Sequence, residues 1–299
     1  MRGGGAKRRW GLGLRGGRRH LDAVRRRSGS VHCVSNAFFE PAGTDNRTFV
    51  ATPAAAGPWS DQSQHGGPPS ALAARAMARH EPDPGQRLAR VAVDILRPVP
   101  VGKVTLATRT VRPGRRVALL EAVMEADGQE VLHARGWRIA VPDEPVPAVP
   151  PLNSQPPPPP PDQAEPRKAQ FRGAHTAGYL DAVEWRYVTG QGFESPGPAV
   201  VWARPTIPLI PDEDTSPMAR TLLIADSGSG VSATLDARRF LFINVDLEVV
   251  LTRDPEGEWL LLDAATTIAE QGTGLAETKI SDTRGRCGVA IQTLLVAPR

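Results

Sequence analysis

Ser216-Pro217-Met218-Ala219-Arg220-Thr221-Leu222-Leu223-Ile224-Ala225-Asp226 reads as a short apolar helix that closes on an acid. Ser216 suits an N-cap, because its hydroxyl can accept from a free N–H of the first turn. Pro217 suits the first helical position, where no intrahelical donor is needed. Ser227-Gly228-Ser229-Gly230 then loosens or ends the helix. Strand candidates precede it at 183–188 and 199–204 and follow it at about 240–252, 258–269, 273–281 and 287–297. Turn residues separate the later ones: Asp254-Pro255-Glu256-Gly257, Gln271-Gly272 and Arg284-Gly285.

The same order occurs upstream. A short strand candidate covers Arg47-Thr48-Phe49-Val50-Ala51. His65-Gly66-Gly67-Pro68-Pro69 leads into a helical stretch rich in alanine, from Ser70 to Arg79. Four alternating segments follow, around 91–95, 104–108, 117–124 and 131–139, divided by Pro98 to Gly102, Arg112-Pro113-Gly114 and Asp127-Gly128. The pattern is a strand, a small-residue helix and then antiparallel strands, twice over. A helix of small residues can lie close to a curved sheet that wraps it. Two such α+β units side by side would pair their edge strands and hide them from solvent.

Between the two repeats, twelve of the thirty prolines fall from Pro142 to Pro166, six of them consecutive at Pro156 to Pro161. Proline lacks a backbone donor and fixes φ, so this segment is expected to extend as polyproline II and to form no ladder. The expected organisation is a disordered basic arm (1–36), an N-terminal unit (37–141), a Pro-rich linker (142–175) and a C-terminal unit (176–299).

Charge supports the separate treatment of the arm. Residues 1–28 hold ten Lys/Arg against one acid, whereas the remainder holds 26 basic and 31 acidic residues. The folded body is mildly acidic and is expected to bind no nucleic acid. Gly11-Leu12-Gly13-Leu14-Arg15-Gly16 fits a dinucleotide-binding spacing, but basic residues rather than a strand precede it, so it is set aside. No apolar run approaches a membrane span. Cys33 and Cys287 lack metal-ligand spacing, and the six histidines do not cluster, so no metal and no cofactor is expected. Two free thiols fit a reducing, cytoplasmic setting.

Three polar residues stand out in the second repeat. Asp226 closes the helix, Asn244 opens the segment Asn244-Val245-Asp246-Leu247, and Gln292 interrupts the apolar strand Val289 to Val296. An acid and two amides in apolar surroundings are able to hold and polarise one water, with no metal and no covalent nucleophile. Ser227 and Ser229 lack the first glycine of a G-x-S-x-G elbow, which disfavours a serine hydrolase.

The order of elements and several short motifs resemble the double-hotdog acyl-CoA thioesterases over residues 37–297. The motifs are His65-Gly66-Gly67 at a helix start, Leu96-Arg97-Pro98-Val99-Pro100-Val101-Gly102, Ala225-Asp226-Ser227-Gly228, Asn244-Val245-Asp246-Leu247 and Ile291-Gln292-Thr293. The resemblance implies two tandem hotdog units, each an antiparallel sheet around a central helix. It also implies hydrolysis of fatty acyl-CoA by a water held between Asp226, Asn244 and Gln292. Asn244 stands where the bacterial type II enzymes carry a hydroxyl residue, and Pro68 where they carry a glutamine. The N–H groups of Gly66 and Gly67 are the expected oxyanion donors, with His65 lining the pocket or turn. The acyl-CoA substrate is the expected partner, and a homo-oligomer is left open. A non-catalytic acyl-CoA binding or sensing protein is the alternative, its hydrolysis lost through the change at Asn244.

Overall fold

The computed structural model of the chain describes residues 36–149, 158–171 and 173–299. The basic arm, its glycine pattern and Cys33 lie outside the described residues. In chain order the elements are β1 (Phe39–Pro41), β2 (Thr48–Ala51), α1 (Gly67–Arg79), β3 (Gln86–Ile95), β4 (Lys103–Arg112), β5 (Val117–Ala126) and β6 (Gln129–Ala140). Then come β7 (Glu165–Pro166), β8 (Val183–Thr189), β9 (Ala199–Pro205), α2 (Pro217–Ala225), α3 (Gly228–Val231), β10 (Phe240–Asn244), β11 (Asp246–Leu251), β12 (Leu260–Ile268), β13 (Thr273–Asp282) and β14 (Gly285–Pro298).

The strands form one sheet in the order β1-β2-β4-β5-β6-β3-β11-β14-β13-β12-β9-β8-β7, with β10 also pairing β14. The first half of the sheet wraps α1, and the second half wraps α2 and α3. This is the double hotdog architecture, an α+β fold with a helix in each concave face. The small side chains make it work. Ala71, Leu72, Ala73, Ala74 and Met77 of α1 are fully buried, as are Ala219, Leu222, Leu223, Ile224 and Ala225 of α2. Short side chains bring backbone close to backbone, and dispersion contacts accumulate at that distance.

The halves join at β3 and β11, which pair antiparallel with Val93 opposite Leu247 and Val91 opposite Val249. All four side chains are buried. Arg90 of β3 donates two hydrogen bonds of 2.8 Å to the carboxylate of Glu248 on β11. Its fork geometry fixes the register as well as the attraction.

The helices also run antiparallel against each other. The N-terminus of α1 meets the C-terminus of α2, where a Cβ on Gly67 would lie 2.2 Å from the Leu223 carbonyl oxygen. At the opposite ends, Arg75 and Arg79 of α1 bind Glu213, just before α2. Arg138 of β6 closes the C-terminus of α1: its buried guanidinium donates to the carbonyls of Met77 (2.6 Å), His80 (2.5 Å) and Glu81 (2.7 Å). A helix end leaves its last carbonyls short of internal partners, and Arg138 supplies donors at that end.

Two expectations change. The Pro-rich stretch was expected to form no ladder, yet Glu165–Pro166 pairs with β8 as an edge strand. An edge needs donors on one side only, so proline is tolerated there. Just upstream, the Trp202 indole donates to the Pro159 carbonyl (2.9 Å), and Ala164 packs on Trp202 and Leu261. Second, Asn244 does not open a strand: it ends β10, and Val245 separates β10 from β11. Asn244 pairs with Leu294 and Glu248 pairs with Ile291, so three residues on one side face two on β14. That is a one-residue bulge. Thr293 N–H there bonds the Asp246 carboxylate (2.6 Å) rather than a backbone carbonyl.

Candidate active site

The bulge matters because such breaks re-aim a side chain beside them. Here it delivers Asn244 onto Asp226: Asn244 Nδ2 donates to Asp226 Oδ1 at 2.8 Å and to the Asp246 carbonyl at 3.0 Å. Gln292 arrives from β14, where it occupies an inward position of the strand alternation between Ala290 and Leu294. Its Nε2 donates to the Asp226 carbonyl (3.0 Å) and to Asp226 Oδ1 (3.2 Å), and its Oε1 accepts from Ser229 N–H (3.0 Å). Asp226 itself sits one residue beyond α2, as the expected helix reading required. The acid and the two amides therefore converge on one oxygen.

The other oxygen has a partner that motif spacing did not reveal. His65 Nδ1 lies 2.9 Å from Asp226 Oδ2, with both side chains buried. His65 belongs to the first half of the chain and Asp226 to the second. Only the antiparallel helix pair brings them together. The His65 ring stacks on Tyr179 at 3.7 Å and 7°. Tyr179 is fully buried and donates to the Leu223 carbonyl (2.8 Å), while Ser227 Oγ bonds its hydroxyl (2.8 Å). Burial pushes the Tyr179 phenol well above its ordinary range, so it stays a neutral donor.

Gly66 and Gly67 have separate jobs. A Cβ on Gly66 would stand 2.8 Å from Asp226 Oδ2, so only glycine leaves the carboxylate in place. Gly66 lines the cavity described below and is the N-cap of α1, the end at which helix donors are free. Gly67 is not among the cavity-lining residues; its N–H lies 3.2 Å from His65 Nδ1, and its bare Cα lets the two helices touch. Gly67→Ala is expected to cost about 1–3 kcal/mol by overpacking a backbone contact that cannot yield. At about 2–4 °C per kcal/mol for a domain of this size, a melting curve detects it. An unchanged Tm would show that the helices separate freely.

The site forms one wall of a cavity of about 510 Å³. His65, Gly66, Asp226, Asn244 and Ser229 bring the polar atoms. Trp59, Phe171, Phe193 and Phe242 bring aromatic rings to an apolar lining that also includes Ile95, Val99 and Leu180. Trp59 meets Phe242 edge-to-face at 5.1 Å and Phe171 at 5.8 Å, and Phe171 meets Phe193 at 5.9 Å. In a chain with only 5% aromatic residues, this concentration marks a built pocket rather than general core. Gln292 is 1% exposed and does not line the cavity, so it acts on Asp226 from behind. Cys287 is a buried free thiol away from this wall, and burial pushes it up to about 11.

Known proteins share this architecture. Residues 55–139 match the model of the acyl-CoA thioesterase N-terminal domain, and residues 152–296 match that of the acyl-CoA thioesterase C-terminal domain. No curated protein matches the chain. Among solved structures, a protein assigned as a thioesterase from Novosphingobium aromaticivorans is 19% identical, with 86% of this chain and 98% of that chain covered and a TM-score of 0.66. One assigned as a thioesterase II from Thermobifida fusca is 16% identical, covering 88% and 96%, with a TM-score of 0.67. The acyl-CoA thioesterase II of Mycobacterium marinum is 14% identical, covering 87% and 95%, with a TM-score of 0.60. At these identities the structural likeness shows the fold; the two family models carry the rest. The chain belongs to the acyl-CoA thioesterase family and is a thioester hydrolase. Among the described residues no helix is long and apolar enough to cross a membrane.

Proposed function

We propose that the substrate is a fatty acyl-CoA and that water, activated at the cluster of Asp226, Asn244 and Gln292, cleaves the thioester to a free acid and coenzyme A. The observation that carries this reading is the placement of a buried, hydrogen-bonded carboxylate on the polar wall of an otherwise apolar cavity. The acyl group lies against Trp59, Phe171, Phe193 and Phe242. The thioester carbonyl faces the Gly66 N–H, which takes up the charge that develops on oxygen. Asn244 replaces a hydroxyl residue without losing the function: its amide holds Asp226 through Nδ2 and keeps Oδ1 as an acceptor. The protein would serve lipid metabolism in the cytoplasm, where the buried Cys287 stays a thiol.

A series of acyl-CoA thioesters from acetyl to palmitoyl tests the substrate class. Burying each methylene is worth about 0.8 kcal/mol, so kcat/KM should rise at least tenfold over the first few methylenes and then level off as the cavity fills. A profile flat from acetyl onward would remove the fatty acyl assignment.

A further inference from the structure

We propose that Phe193 closes the inner end of the cavity and sets the longest acyl chain it admits, so that the substrates carry short or medium chains. This rests on the hydrolytic reading of the same site and deepens it. The cavity has two unlike ends. Leu96, Val245 and Leu295 line it and are 45%, 45% and 55% exposed, so they mark the mouth. Phe171, Leu180, Phe193 and Phe242 line it and are buried, so they mark its depth. A thioester with a large, charged coenzyme leaves the coenzyme at the mouth and sends the acyl chain inward.

Phe193 is the wall itself. Trp185 does not line the cavity; it stands behind Phe193, the two rings edge-to-face at 5.0 Å and 80°. Trp185 is buried, and its indole donates to the Leu180 carbonyl at 3.1 Å. Close packing of this kind leaves the Phe193 ring little room to retreat. Gly230 of α3 lines the cavity against the same ring: a Cβ there would lie 2.7 Å from Phe193 Cε1, and its three nearest atoms would all belong to Phe193. The backbone is fixed as well. Gly192, just before Phe193, has a φ of 56°, and a Cβ on it would lie 2.3 Å from the Tyr187 ring. A ring held from behind, from the side and along its backbone is a stop rather than a gate.

The stop stands near the acid. Asp226 and Ser227 both keep right-handed helical backbone angles, and α3 follows directly. Gly230 therefore lies about one helical turn past Asp226, about 6 Å along the axis. An extended palmitoyl chain is several times longer than that reach.

Two substitutions move the stop in opposite directions. Phe193→Ala removes the ring and opens the cavity toward Trp185. Gly230→Ala puts a methyl into the cavity or pushes the ring into it; the position lies within α3, so its backbone suits alanine. The experiment measures kcat/KM for saturated acyl-CoA thioesters from butyryl to palmitoyl, and the Kd of their thioether analogues, which cannot be hydrolysed. In the parent protein both should improve by up to about fourfold per methylene and then break at one chain length. Phe193→Ala should move that break to chains longer by about two carbons or more, and Gly230→Ala should move it to shorter ones. A break that stays in place in a folded Phe193→Ala, or that both variants shift the same way, overturns the proposal. Should Phe193→Ala prove unstable by its melting curve, Gly230→Ala decides, and a break no shorter than the parent's overturns it. Analogue binding that breaks and shifts as expected, with no thioester turned over, would sink the hydrolytic reading and leave the stop standing. Turnover with a break that neither variant moves does the reverse.

Discussion

Asp226→Asn is expected to lower kcat by roughly 100-fold or more, with little change in acyl-CoA affinity. The substitution keeps size and planarity but removes the charge on which three side chains converge. If the new amide turns its nitrogen toward His65, its oxygen still accepts from Asn244 and Gln292, but no carboxylate charge remains beside the imidazole. If it turns its nitrogen toward Asn244 and Gln292, it faces two amide donors at 2.8 and 3.2 Å. Neither orientation restores the charge, so the water is expected to lose its activation whichever forms. On the proposed reading the acyl group binds against the aromatic wall, which the substitution leaves untouched, and this separates the kcat effect from KM. Steady-state kinetics on one acyl-CoA, with a melting curve for the variant, measure this. Parental turnover in a folded Asp226→Asn would remove the residue from the chemistry.

Residues 176–299 expressed alone should give no soluble, cooperatively unfolding protein. The β11 edge would lose its pairing with β3 and leave Leu247 and Val249 against solvent. A bare, apolar central edge is a template for aggregation. The helix α2 would lose α1, whose glycine-lined start contacts the Leu223 backbone directly. Size-exclusion chromatography and urea unfolding distinguish the outcomes. A monomeric peak with a sigmoidal transition would show that the second half folds by itself and that the seam is a docking surface only. Shortening the six-proline run, by contrast, touches none of these contacts.

Much of this architecture is legible in the chain because it is local. Alternation marks the strands, Ser216-Pro217 marks the start of α2, and the hydroxyl of Ser216 does accept from Ala219 N–H in that helix. Gln292 shows itself as a polar residue at an inward position of an apolar strand. What stays hidden depends on register and on distant contacts. The bulge at Val245 is a mismatch between two strands, and neither strand alone records it. The Asp226 partner of His65 lies in the other half of the chain, so no motif spacing connects the two. Tyr179, which supports the His65 ring, lies ahead of the first strand candidate of the second repeat, outside every periodic segment.

The antiparallel helix pair has two ends, and they have diverged. Where α1 begins and α2 ends, glycine, histidine and aspartate meet a cavity of about 510 Å³. Where α2 begins and α1 ends, the symmetry-related place holds Arg75, Arg79 and Glu213 around a cavity of about 190 Å³. A dimer of identical units would be obliged to build the same centre twice. Fusion of two unlike halves lifts that obligation, so one end can hold the proposed reaction centre while the other is an ionic clasp. The expected stoichiometry is therefore one tightly bound, non-hydrolysable acyl-CoA analogue per polypeptide rather than two.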